Sequence, residues 1–109
     1  MDISQLMFRD GLMEGERILV TGGGTGLGRV MAEAFLKLGA EVHICGRRQG
    51  KLDETAAELT GRHGGTLVGH ACDIRDPDAI HAMVDAIWEQ GPLTGVVNNA
   101  AGNFISRTE

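Results

Sequence analysis

The chain has 109 residues, 42% of them hydrophobic, a length and composition that fit one small globular domain and neither a disordered nor a fibrous chain. Acidic residues number 15 and interleave with 10 basic ones for a formal charge of −5, so no basic stripe exists and nucleic acid is not an expected partner. No stretch approaches the roughly 18 apolar residues of a membrane span, and Cys45 and Cys72 stand apart, outside any CxxC pairing. A cytoplasmic protein with reduced thiols, no metal and no membrane partner is the expectation.

Residues 1–16 scatter charges among a few apolar side chains and read as an irregular lead-in to a single domain of residues 1–109. Ile18, Leu19 and Val20 form a first strand. Leu27, Val30, Met31, Ala34, Phe35 and Leu38 then recur at helical spacing until Gly39, which predicts a helix with that face inward. Between strand and helix lie five glycines in seven positions, 22–28. Their spacing is GxxxGxG: Gly22 permits a tight turn, Gly26 the close approach of a ligand's phosphates, and Gly28 close packing of helix on strand. The helix start adds free N–H groups and a positive dipole end. Standing alone, such a cluster is equally a flexible turn; the flanking strand and helix supply the context a phosphate site needs. Gly28-Arg29-Val30 replaces the GK and Ser or Thr of a P-loop, which argues against that ATP chemistry.

"EVHIC" (41–45) makes a second strand, followed by a weaker helix carrying Leu52, Ala56 and Leu59 and ending near Gly61. An NAD site places a carboxylate at the end of that strand to hold the ribose hydroxyls, but here the run is "CGRRQGK", with no acid until Asp53. Arg47, 19 residues after Gly28, stands where the ribose would lie, and its guanidinium suits a 2′-phosphate. Arg48 is a second candidate. The alternative for both is a solvated loop. "TLVGHAC" (66–72) is a third strand; Asp76 and Pro77 form an N-cap and first-turn pair for a helix with Ile80, Met83, Val84, Ile87 and Trp88 on one face; "GVVNN" (95–99) is a fourth strand. Strands alternating with helices call for right-handed crossovers and a parallel sheet covered on both faces. His43, His63, His70 and His81 show no metal spacing and read as structural.

"TGGGTGLG" (21–28) matches a TGxxxGxG cofactor motif, and the order of that motif, "CDIRDPD" (72–78) and "VNNAAGNF" (97–104) resembles the short-chain dehydrogenase/reductase family. The resemblance spans residues 18–109. It implies an α/β fold, a Rossmann-type doubly wound parallel sheet of strand order 3-2-1-4, and a nicotinamide cofactor, which Arg47 makes NADP(H). Thr21, Gly22, Gly24, Thr25, Gly26, Leu27 and Gly28 then belong to the cofactor site with Arg47 and Arg48. Asp73 would bind the adenine and Ile74 cover it, while Asn99, Ala100, Ala101 and Gly102 line the path to the nicotinamide ribose. The alternative for Asp73 is a turn-forming or capping residue at a strand end.

The extra alanine of "NNAAGNF", taken with "CDIRDPD", is similar to the 2,4-dienoyl-CoA reductase branch, which reduces a conjugated acyl-CoA with NADPH in fatty acid metabolism. That resemblance implies that Asn103, the candidate catalytic residue, and Phe104 face the acyl chain or its thioester, and that Arg75 contacts the CoA. Simple core packing is the alternative for Phe104 and an exposed position before a helix the alternative for Arg75. The resemblance also implies a homo-oligomer, in the form of a homotetramer. One departure is large: the family's proton donor is the tyrosine of a YxxxK motif, and this chain contains no tyrosine. The chain is therefore expected to be the N-terminal part of a longer enzyme, to bind cofactor without turnover, and to leave its fourth strand a bare, aggregation-prone edge. Reduction of an alcohol or ketone, and a non-catalytic NADP(H)-binding sensor, stay open. A purely structural interaction module would not need Arg47, Asp73 and the two asparagines together.

Overall fold

The computed structural model describes residues 13–22, 26–98 and 104–106, the last three and Asn98 by their place in a strand. The elements run β1 (Arg17–Thr21), α1 (Gly26–Lys37), β2 (Glu41–Gly46), α2 (Gln49–His63), β3 (Leu67–Ala71), α3 (Pro77–Trp88), β4 (Gly95–Asn98) and β5 (Phe104–Ser106). The sheet order is β3-β2-β1-β4-β5. The first four strands pair in parallel, with Val20 opposite Ile44 on one side and Val97 on the other. The order 3-2-1-4 is therefore present, in an α/β doubly wound fold. The expectation of a bare β4 edge is corrected: β5 pairs antiparallel with β4, Asn98 opposite Phe104, and takes up its outer hydrogen bonds.

Both faces of the sheet are covered, which is why the strands read as continuous apolar runs rather than as alternating ones. Ile18, Val20, Val42, Ile44 and Val97 meet Ala32 and Leu36 of α1 and Leu52 and Leu59 of α2. On the other face Leu19 and Cys45 join Cys72, Leu93 and the α3 residues Met83 and Ile87. The strand residues alternate between these two clusters as the pleat requires.

Two helix faces differ from the periodicity. Leu27 and Val30 are 51% and 61% exposed, because α1 rests on the sheet along the row Gly28, Ala32 and Leu36. At about 100° per residue, Val30 lies roughly 200° round the helix from Gly28, on the far side. Trp88 is likewise exposed, one position past the buried row of Met83 and Ile87. Helix α2 passes through Gly61 and stops at Gly64, whose φ of 71° lets its N–H return to the Thr60 carbonyl at 2.8 Å. Among the described residues, no helix is long and apolar enough to cross a membrane.

Candidate cofactor site

The site begins where β1 ends. Gly22 pairs once more with β2, its N–H donating to the Cys45 carbonyl at 2.9 Å, and turns away at φ 70°. Thr21, expected in the cofactor site, donates its hydroxyl to the Val97 carbonyl at 3.3 Å, tying β1 to β4 where the glycine loop leaves the sheet. Gly26 opens α1 at φ 60°, and a Cβ there would meet nothing within 4 Å. Backbone N–H groups at the first turn of α1 are thus reachable by a ligand, beside the exposed Leu27. Gly28 is buried and brings α1 onto the sheet.

Two cavities lie at the carboxyl ends of β1, β2 and β3, sharing the wall formed by Gly22, Cys45, Gly46 and Arg47. The larger, about 450 Å³, is completed by Arg48, Lys51 and Leu52; the smaller, about 220 Å³, by Cys72, Asp73, Ile74 and Arg75. The sequence-predicted Gly22, Arg47, Arg48, Asp73, Ile74 and Arg75 therefore converge. Gln49 fixes the base of α2 beside them: its Nε2 donates to Asp53 Oδ1 at 2.8 Å and to the Gly69 carbonyl at 3.3 Å, and its Oε1 accepts from the Ala71 N–H at 3.1 Å. Asp53, the first acid after β2, is thereby held by Gln49.

The Asp73 carboxylate is gripped by its neighbour but one. Arg75 Nε and backbone N–H both donate to Oδ1, at 3.1 and 3.0 Å, and Nη2 donates to Oδ2 at 3.2 Å. Those bonds hold the Asp73 carboxyl below the usual carboxylate range and raise Arg75. Arg75, expected as a CoA contact, thus lies across Asp73 with its side chain 73% exposed, and a pair this wet contributes little to stability. The Cys45 thiol is pushed up to about 11 by burial, and burial raises Cys72 as well, so both stand as protonated, apolar walls. Both cysteines are free. Gly24, Thr25, Asn99, Ala100, Ala101, Gly102 and Asn103 lie outside the described residues, as does the Phe104 side chain.

Lys51, Cys45, Leu52 and Cys72 line the cavities without having been site candidates in the sequence, and of these Lys51 is the charged one. Its position four residues after Arg47, in the first turn of the helix that follows β2, was the available signal. His43 and His70 stack at 5.1 Å between ring centroids, and His43 also meets Glu41 at 2.7 Å. Among the described residues no group of three or more His, Cys, Asp or Glu is placed to hold a metal ion.

A parallel sheet with a glycine turn after its first strand, cations after the second and a carboxylate after the third defines a dinucleotide-binding α/β domain. The chain belongs to the short-chain dehydrogenase/reductase family: the short chain dehydrogenase profile matches residues 16–109. It is 45% identical over 105 residues to a probable 2,4-dienoyl-CoA reductase of Caenorhabditis elegans, covering 94% of this chain and 34% of that protein. Among solved structures, it resembles a citronellol catabolism dehydrogenase of Pseudomonas aeruginosa, with TM-score 0.80, 44% identity, and coverage of 84% of this chain and 38% of that one. L-sorbose reductase of Gluconobacter frateurii, solved with NADPH and L-sorbose, is similar at TM-score 0.77 and 30% identity, over 83% of this chain and 35% of that one. The chain spans about a third of the length of the curated relative.

Proposed function

We propose that the protein is an NADP(H)-dependent reductase of unsaturated acyl-CoA thioesters, of the 2,4-dienoyl-CoA type. The observation that carries the cofactor half of this reading is the end of β2, where Gly46 replaces a carboxylate and Arg47, Arg48 and Lys51 line one cavity. Arg47 holds the 2′-phosphate, the turn from Gly22 to Gly28 accepts the pyrophosphate on its N–H groups, and Asp73 and Ile74 receive the adenine in the smaller cavity. NADPH, once bound, supplies the hydride. Asn103 and Phe104 orient the acyl thioester, and Arg75, if it leaves Asp73, reaches the CoA. Since the chain has no tyrosine, the proton that completes reduction comes from a different group or from outside these 109 residues. The substrate half rests on the "NNAAGNF" segment and on the named reductase relative at 45% identity. Two free buried thiols support the cytoplasm as its compartment, and a homotetramer goes with the family resemblance.

A second reading, reduction of an alcohol or ketone, draws on the citronellol and L-sorbose enzymes to which the fold is similar. Loss of reduced-nicotinamide absorbance with each substrate class separates the two. Oxidation of NADPH with a dienoyl-CoA thioester, and a lower rate with unchanged NADPH affinity in Asn103→Ala, is the expected result. Ready turnover of alcohols or ketones with none of the thioester would overturn the substrate assignment and leave the family standing.

A further inference from the structure

We propose that Lys51, on the first turn of α2, is a second cation for the cofactor's 2′-phosphate and sets specificity jointly with Arg47, an inference that rests on the NADP(H) reading above. Most described arginines are neutralised by carboxylates: Arg17 by Glu41 at 2.7 Å, Arg29 by Glu58 at 2.7 Å, Arg62 by Glu58 at 2.8 Å and Arg75 by Asp73 at 3.1 Å. Among the described residues, the side chains of Arg47, Arg48 and Lys51 have no ion pair or hydrogen bond, and these three line the same cavity. Three cations on one cavity repel one another, and of the three Arg47 is the one whose charge also acts on a carboxylate, that of Asp73 in the smaller cavity. A dianion between them relieves that repulsion.

The two cavities give the charge a direction. Arg47 stands on their shared wall, with Asp73 and Ile74 beyond it in the smaller cavity and Lys51 beyond it in the larger. Were a ribose to lie on the shared wall, Asp73 and Ile74 would receive the adenine and Arg47 and Lys51 would hold the 2′-phosphate. The lysine backbone is well fixed, because the next residue, Leu52, is 2% exposed and seated in the core between α2 and the sheet. A compact ammonium beside a planar guanidinium suits the several oxygens of a phosphate better than either alone.

The test compares adenosine 2′,5′-bisphosphate with 5′-AMP, and NADPH with NADH, by calorimetric titration of the whole protein. For Lys51→Gln the affinity for the two 2′-phosphorylated ligands is expected to fall on the order of tenfold. The affinity for 5′-AMP and NADH should not change, and Lys51→Arg should restore most of the loss. Equal losses for both ligand classes, or no loss, overturn the role of Lys51. Arg47→Gln separates the two levels: if it removes the 2′-phosphate preference while Lys51→Gln does not, only the lysine inference fails. A wild-type protein without any preference for the 2′-phosphorylated ligands overturns the NADP(H) reading and the inference with it.

Discussion

At Gly46 a single missing side chain leaves the cofactor choice open to the arginine that follows. A Cβ added there would stand 3.6 Å from Leu52 Cδ2, an ordinary contact, so a carboxylate is accommodated without moving α2. Gly46→Asp should therefore fold normally and shift preference toward NADH, by accepting from a free 2′-hydroxyl and repelling a 2′-phosphate. Arg47→Ala should weaken NADPH by roughly ten- to a hundredfold, the equivalent of one charge-assisted bond of about 1.5–3 kcal/mol, and leave NADH almost unchanged. Titration of both cofactors at fixed salt reads each outcome; parallel losses in Arg47→Ala would make it a solvated loop residue. The place of Arg47 at the end of β2 was legible in the sequence, because it directly follows the apolar run of that strand. Lys51 was not, since "QGKL" reads as any solvated helix start until burial of Leu52 shows how α2 is rotated.

Between elements, a glycine makes possible the close approach of α2 to β3. A Cβ on Gly69 would lie 2.7 Å from Leu52 Cβ and 3.4 Å from the Leu52 carbonyl carbon, so backbone has to move. Gly69→Ala should cost about 1–3 kcal/mol in urea unfolding, as overpacked cores do. It should also loosen NADPH, because α2 carries Lys51 and begins directly after Arg47 and Arg48, the larger cavity's other cations. A milder cost, about 1 kcal/mol, is expected for Asp76→Ala, which removes the cap that accepts from the N–H groups of Asp78 and Ala79 at 3.0 and 3.4 Å. That cap was readable as Asp-Pro before an apolar row, and the four parallel strands were readable as short apolar runs between helices. The seat of α1 was not: hydrophobic periodicity favoured Leu27 and Val30, whereas close packing chose the small residues Gly28 and Ala32. Strand β5, three residues long, is too short to carry a period of two.

Across the whole molecule, one polar chain runs over three strands on the face that α3 covers. Arg17 Nε donates to Glu41 Oε2 at 2.7 Å, and Arg17 Nη1 donates to the Ile87 carbonyl at 3.1 Å and to that of Gly91, joining the sheet to the end of α3. His43 Nε2 meets the same Glu41 oxygen at 2.7 Å, so its proton is assigned to Nε2; its Nδ1 then accepts from His70 Nε2 at 2.9 Å. Burial lowers the His70 pKa, with His43 adding to the effect, and the bond from His43, followed by those from Arg17, lowers Glu41. A histidine depressed in the folded chain takes up its proton less readily than in the unfolded one, so stability falls as pH drops through about 6.5. A depressed glutamate stabilises above its unfolded value and loses that contribution as pH falls through its lower folded one. The two shifts have the same sign and act in successive windows. Urea midpoints should therefore decline from neutral pH toward pH 5 and decline again below about pH 4.5. His70→Gln should flatten the upper decline while keeping the lower, and Glu41→Gln should flatten the lower; midpoints in His70→Gln that track the wild type through the upper window would show that the ring is as freely protonated folded as unfolded.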